Sequence, residues 1–178
     1  LAMLAQFLPA KSPPYSQSNL RPRWRFHGFQ PKQTERIARV NEGETLETFI
    51  QHGQAYQATL LKQATETFRR AKRAPVNGIF QFMFADHWPA ISHAVLDYDR
   101  QPKAGYYALQ AAMQPVLPSI APSLPDRING KRWVYTDTES LRIALWAVND
   151  TPVEVLQAEM MWRITQSDGQ TAFEGRVR

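Results

Sequence analysis

At 178 residues, with 43% apolar content, the chain can bury one core or two small ones, so disorder is not the default reading. It has no cysteine, which excludes disulfides, thiolate metal sites and cysteine nucleophiles, and no run approaches the roughly eighteen apolar residues that a membrane span needs. The formal charge of +5 is concentrated in residues 1–40, where Lys11, Arg21, Arg23, Arg25, Lys32, Arg36 and Arg39 face Glu35 alone. That segment also carries Trp24, Phe26 and Phe29, a mixture that single-strand binders use, but it has no recognisable nucleic-acid motif. The apolar start LAMLAQFLPA is short and has no basic segment before it, so a signal peptide is not expected. The chain begins at Leu1 without an initiator methionine, which suggests processing or a piece of something longer.

In chain order, residues 10–43 are rich in Pro, Ser, Gln and Arg without a period and predict a long loop, of a length that usually serves a site or is disordered. From Thr45 the apolar residues Leu46, Phe49, Ile50, Leu60, Leu61, Ala64 and Phe68 recur at helical spacing, predicting a helix from about Thr45 to Lys72. Glu44 and Glu47 stand at its start and Arg69, Arg70, Lys72 and Arg73 at its end, so the basic run is read as complementing the helix dipole. After a break at residues 74–78 comes IFQFMF, residues 79–84, expected as a strand apolar on both faces and covered on both sides. A second helix is expected from about Lys103 to Met113, with Pro102 at its start. Helix, buried strand and helix make an α/β unit.

Residues 115–125, PVLPSIAPSLP, read as a proline-punctuated linker. Beyond it, residues 131–136, 141–149 and 153–165 are strand-like, with turn signals at Asn149-Asp150 and Ser167-Asp168-Gly169. In the second stretch Leu141, Ile143, Leu145 and Ala147 share one face, and Arg142, Ala144, Trp146 and Val148 the other. This predicts the start of an antiparallel sandwich, incomplete because so few strands cannot close two sheets. The expected fold class is therefore α/β followed by all-β, with a boundary near residue 116.

The stretch from Gln54 to Leu117 carries an ordered set of residues: Gln54, Gln57, Ala58, Arg69, Arg70, Gly78, Asp86, Trp88, Pro89, Asp97, Tyr98, Pro102, Lys103, Tyr106 and Leu109. It resembles the end of the catalytic barrel in glycoside hydrolase family 2, on the β-mannosidase and exo-β-glucosaminidase side. The pattern there is a helix with Q-x-x-Q-A and R-R, a glycine, a strand, D-x-W-P, D-Y and P-K-x-x-Y-x-x-L. Upstream, WRFHGFQPKQTERIA is similar to the loop that follows the nucleophile strand in some members. Downstream, LWAVNDT resembles the opening of the immunoglobulin-like domain after the barrel.

The resemblance implies that residues 1–115 are the last helix, strand and helix of a (β/α)8 TIM barrel, and that residues 116–178 begin an immunoglobulin-like β-sandwich. It implies a retaining β-glycosidase acting on terminal β-linked sugars with two glutamates about 5–5.5 Å apart. The acid/base glutamate belongs to an earlier strand, and the nucleophile to a stretch of the form E-F-G-x-Q-x-x-P. Here the matching AMLAQFLP fits at Gln6 and Pro9, while Ala2 occupies the glutamate's slot. No catalytic residue is assigned, and the isolated chain is expected to be inactive. The expected partners are a carbohydrate substrate and the remaining part of the barrel or a homologous chain, with no cofactor, nucleic acid or membrane.

Substrate binding is assigned to Asp86, Trp88, Phe82 and His87. A carboxylate accepts hydrogen bonds from sugar hydroxyls, and an indole face stacks on the apolar face of a pyranose. The alternatives are that Asp86 caps a turn with Trp88 beneath it, and that Phe82, where many relatives carry tryptophan, belongs to the barrel core. His87 and His93 have no partner at ligand spacing, so no metal site is expected. Two rival readings remain: a noncatalytic carbohydrate-binding or interaction module with Trp88, Trp133, Trp146 and Trp162 as platforms, and a basic nucleic-acid binder.

Overall fold

The computed structural model describes residues 2–8, 21–30, 45–72, 76–122, 128–129, 132–133, 140 and 142–178. The chain divides into two compact units, Leu1–Gln114 and Pro115–Arg178. The described elements of the first are helices α1 (Ala2–Ala5), α2 (Arg21–Phe26), α3 (Leu46–Arg70) and α4 (Ala104–Ala112). Those of the second are strands β1 (Val116–Pro122), β2 (Ile128–Asn129), β3 (Arg132–Trp133), β4 (Ile143–Asn149), β5 (Met160–Thr165) and β6 (Thr171–Val177).

Helix α3 starts at a reciprocal cap: Thr48 N–H donates to Thr45 Oγ1 at 3.1 Å, and Thr45 N–H donates to Thr48 Oγ1 at 3.2 Å. Glu47 lies in its first turn and Arg69 and Arg70 in its last, as the helix dipole favours. Glu66 is buried on this helix beside Lys62, at 2.6 Å, and Arg70, at 3.7 Å. Arg73 lies outside the described residues. At Gly105 an added Cβ would stand 2.8 Å from Gln57 Oε1 and 3.0 Å from Leu61 Cδ1, so α4 approaches α3 more closely than a larger residue allows. Leu4, Phe7, Leu8, Trp24, Phe29 and Phe49 form the buried apolar cluster of this unit.

Three expectations for the first unit need revision. Residues 10–43 are not loop throughout, because Arg21–Phe26 is helical; Trp24 is its one buried residue, so no amphipathic period marks it. The basic residues Lys11, Lys32, Arg36 and Arg39 lie outside the described residues. Residues 79–84 form no ladder, and the apolar side chains expected to be covered are open, with Phe80 95%, Phe82 76% and Phe84 56% exposed. A buried strand exists only where neighbours pair with it, and no described strand lies beside this one. Pairing begins at its end, where Ala85 bridges Leu96 in parallel and Leu96 N–H donates to the Phe84 carbonyl at 2.9 Å.

The second unit contains three two-stranded antiparallel sheets, β1–β4, β2–β3 and β5–β6. Residues 116–122 of the proline-rich stretch are strand, not linker: β1 runs from Val116↔Asn149 to Pro122↔Ile143 against β4, and residues 123–125 lie outside the described residues. Its prolines are compatible with this because β1 is an edge strand. Leu117 faces Val148 across the pair, and both are buried. The expected strand over 153–165 shortens to Met160–Thr165, with Val153 and Leu156 exposed ahead of it. It returns through Gly169, at φ 87°, to β6. Across that hairpin Trp162 lies over Gly175, whose added Cβ would stand 2.6 Å from the indole. Of residues 131–136 only Arg132 and Trp133 are described, and Leu141 lies outside the described residues.

Candidate functional site

Asp86 sits where the chain turns out of residues 79–85, and it is 1% exposed. Its N–H donates to the Leu96 carbonyl at 3.1 Å. Lys103 Nζ lies 2.8 Å from Oδ2, and Ser92 Oγ donates to Oδ1 at 2.5 Å. Ser92 Oγ in turn accepts from Ala94 N–H at 2.9 Å, and Arg100 Nη1 donates to the Asp86 carbonyl at 2.9 Å. The Asp97 carboxylate holds the turn that supplies Arg100, accepting from Gln101 N–H at 2.8 Å. A buried carboxylate needs such compensation. Each of its oxygens has two lone-pair directions, so one partner apiece leaves acceptor capacity.

Trp88 is half-buried, and what covers it comes from far along the chain. The ring of His27 stacks on it with centroids 4.8 Å apart and planes 23° apart, and Phe7 stacks on His27 at 3.7 Å and 7°. Phe26 meets Trp88 edge-on at 5.5 Å. His27 Nδ1 lies 2.6 Å from the Pro89 carbonyl, while the His27 carbonyl accepts from Ile91 N–H at 2.7 Å. Gly28 follows at φ 87°, and an added Cβ there would stand 3.2 Å from the Ile91 carbonyl oxygen. This backbone conformation favours glycine. The His27-Gly28 pair thus grips residues 89–91, immediately after Trp88.

The remaining assigned residues are placed differently. Phe82 is open to solvent, 5.7 Å from the His93 ring, and His87 is exposed. Asp86 therefore turns inward, Trp88 is partly covered, and Phe82 and His87 face solvent. Ala2 opens α1, and Gln6, the matching glutamine of the same stretch, donates through Nε2 to both Asp99 carboxylate oxygens at 3.1 Å. Phe7, Phe26 and His27 lie in stretches that the sequence reading quoted, but it gave them no place beside Trp88. Their one sequence signal is the Phe-His-Gly run, aromatic residues followed by a glycine able to turn the chain. No group of three or more His, Asp or Glu able to hold a metal occurs among the described residues. No described helix is long and apolar enough to cross a membrane.

Several motif residues act as fasteners for α4. Gln54 Oε1 accepts from Ala104 N–H at 2.9 Å at the start of α4, and Arg69 Nη1 donates to the Ala112 carbonyl at 2.5 Å at its end. These are backbone groups that a helix leaves unsatisfied. Gln57 Nε2 donates to the Ala94 carbonyl at 3.0 Å, and Lys103, just before α4, reaches Asp86. The Q-x-x-Q and R-R spacings therefore join α3, α4 and the Asp86 turn.

Comparison with known proteins meets one kind of enzyme twice. No family model matches the chain. It is 28% identical over 123 residues to β-mannosidase B of Aspergillus niger, a stretch that covers 65% of this chain and 14% of that protein. The chain is similar to β-mannosidases. The fold likeness is to the crystal structure of the β-D-mannosidase from Dictyoglomus thermophilum, at TM-score 0.60 and 20% identity, covering 99% of this chain and 20% of that one. The resemblance to glycoside hydrolase family 2 carried by Gln54–Leu117 is thus supported in sequence and in fold. The chain spans 14% of the length of the curated β-mannosidase it matches.

Proposed function

We propose that the chain is a segment of a retaining β-glycosidase of the β-mannosidase kind, hydrolysing terminal β-linked sugars. On this reading residues 1–115 are the last helix, strand and helix of a (β/α)8 barrel, and residues 116–178 begin an immunoglobulin-like sandwich. The observation that supports it best is the run from Phe80 to Trp88: an open apolar segment that ends in a buried, bonded carboxylate and a stacked indole. In the barrel, neighbouring strands cover the phenylalanines, and the segment's end opens on the carboxyl face, where reacting groups gather.

Trp88 then offers an aromatic face to the apolar side of a pyranose, and Asp86, turned inward onto Lys103 and Ser92, holds the turn that carries the indole. Phe82 and His87 complete the wall. The proton donor and the nucleophile are glutamates supplied by other strands, so this wall binds and orients the sugar while the bond is broken from elsewhere. The exposed phenylalanines also predict association with whatever supplies the rest of the barrel.

The test is hydrolysis of an aryl β-mannoside by the purified chain. The expected result is release no faster than in buffer, and turnover at about 1 s⁻¹ or more, the ordinary enzyme range, contradicts the assignment. Titrating mannose in parallel while following tryptophan fluorescence separates the rival: saturable binding by the chain alone favours a noncatalytic module.

A further inference from the structure

We propose that His27 is the positioning residue for Trp88, the device by which the loop after α2 sets the angle and depth of the sugar-stacking ring. The inference rests on the reading of Trp88 as part of a sugar wall, and it adds a residue to which the sequence reading gave no role. A carbonyl oxygen only accepts, so the 2.6 Å contact with Pro89 requires the proton on Nδ1. This bond and the main-chain bond from Ile91 at 2.7 Å hold the same residue at two points. Gly28 permits the close approach, since an added Cβ would stand 3.2 Å from the Ile91 carbonyl. The imidazole plane is thereby fixed relative to residues 89–91.

One face of the fixed ring carries Phe7, at 3.7 Å and 7°, and Trp88 is stacked on the same imidazole at 4.8 Å and 23°. Phe7 belongs to the buried cluster with Trp24 and Phe49, so the stack is anchored in the core and ends at the half-buried indole. Phe26 closes one edge of Trp88 at 5.5 Å. An indole free to rotate about two torsions loses part of its stacking energy to ordering, and a backed indole has already lost that freedom. The same carbonyl bond without the ring, or the ring without the bond, separates the two contributions.

The chain labelled with 5-fluorotryptophan gives one fluorine resonance for each of its five tryptophans, and Trp88→Phe identifies the one from Trp88. In the unsubstituted chain a fluorine-to-proton Overhauser effect is expected from Trp88 to the His27 ring. Its absence overturns the proposal without any substitution at His27. His27→Asn keeps a donor for the Pro89 carbonyl but loses the ring, and should move the Trp88 resonance to the position of an unstacked indole. His27→Phe keeps the ring and should restore the stacked position. A Trp88 resonance identical in His27→Asn and the parent chain overturns the proposal, as does one that His27→Phe fails to restore while the Trp24 resonance stays unchanged. None of these signals needs sugar, so a wall reading that fails in a complete enzyme, where removing the Trp88 indole leaves kcat/KM unchanged, leaves the positioning result standing.

Discussion

The two units reach order by different means. In the first, side chains distant in sequence bond to specific backbone groups: Gln54 and Arg69 hold the two ends of α4, Gln57 holds Ala94, and Lys103 ties α4 to Asp86. In the second, the described order is backbone pairing of neighbouring strands, and apolar residues such as Met161, Phe173, Ile120 and Trp146 stay exposed. Polar fasteners specify one geometry because each buried group left without its partner costs free energy. Strand pairs without a covering layer specify register but little burial. The first unit should therefore respond to single substitutions with larger losses than the second.

Trp24→Ala puts that contrast under the most strain. Trp24 is fully buried and meets Phe29 and Phe49 edge-on at 5.5 and 5.1 Å. Its truncation should cost about 4 kcal/mol, read as loss of the helical signal at lower urea. Lys103→Met comes next, at about 3 kcal/mol, because it strands the buried Asp86 charge with Ser92 alone. Adding Asp86→Leu to it should recover part of the loss, which sharpens the point that the cost is an unpaired charge. Gly175→Ala should cost about 1 kcal/mol in the β5–β6 hairpin, since the methyl must displace the Trp162 ring. Tryptophan emission reports it, and the helical signal should not change. A Gly175 effect as large as that of Trp24 would erase the distinction between the units.

How much could be read in advance follows the same physics. Helix α3 was legible because an apolar stripe at helical spacing and charges matched to the dipole are local signals, and α4 because Pro102 stands just ahead of it. Residues 79–84 misled because a doubly apolar pattern announces neighbours, and no described strand pairs with them. Helix α2 was hidden because Trp24 alone turns inward, and β1 because its prolines resemble linker until it is seen as an edge strand. At the site, Asp86 and Trp88 were legible as an acid and an indole at a strand-like end. Their surroundings were not: Ser92, Lys103 and His27 reach them only through tertiary contacts, and no spacing rule joins His27 to Trp88.

On the proposed reading, Trp88 forms a wall of a β-mannoside site completed by residues outside this chain. The direct measurement uses the Dictyoglomus thermophilum β-D-mannosidase with its corresponding stretch replaced by residues 2–114 of this chain, assayed for kcat/KM on an aryl β-mannoside with and without Trp88→Ala. The expected result is turnover by the replaced enzyme and a fall of about tenfold or more on removing the indole, equivalent to about 1.4 kcal/mol of lost transition-state binding. An unchanged kcat/KM in the Trp88→Ala form would contradict it.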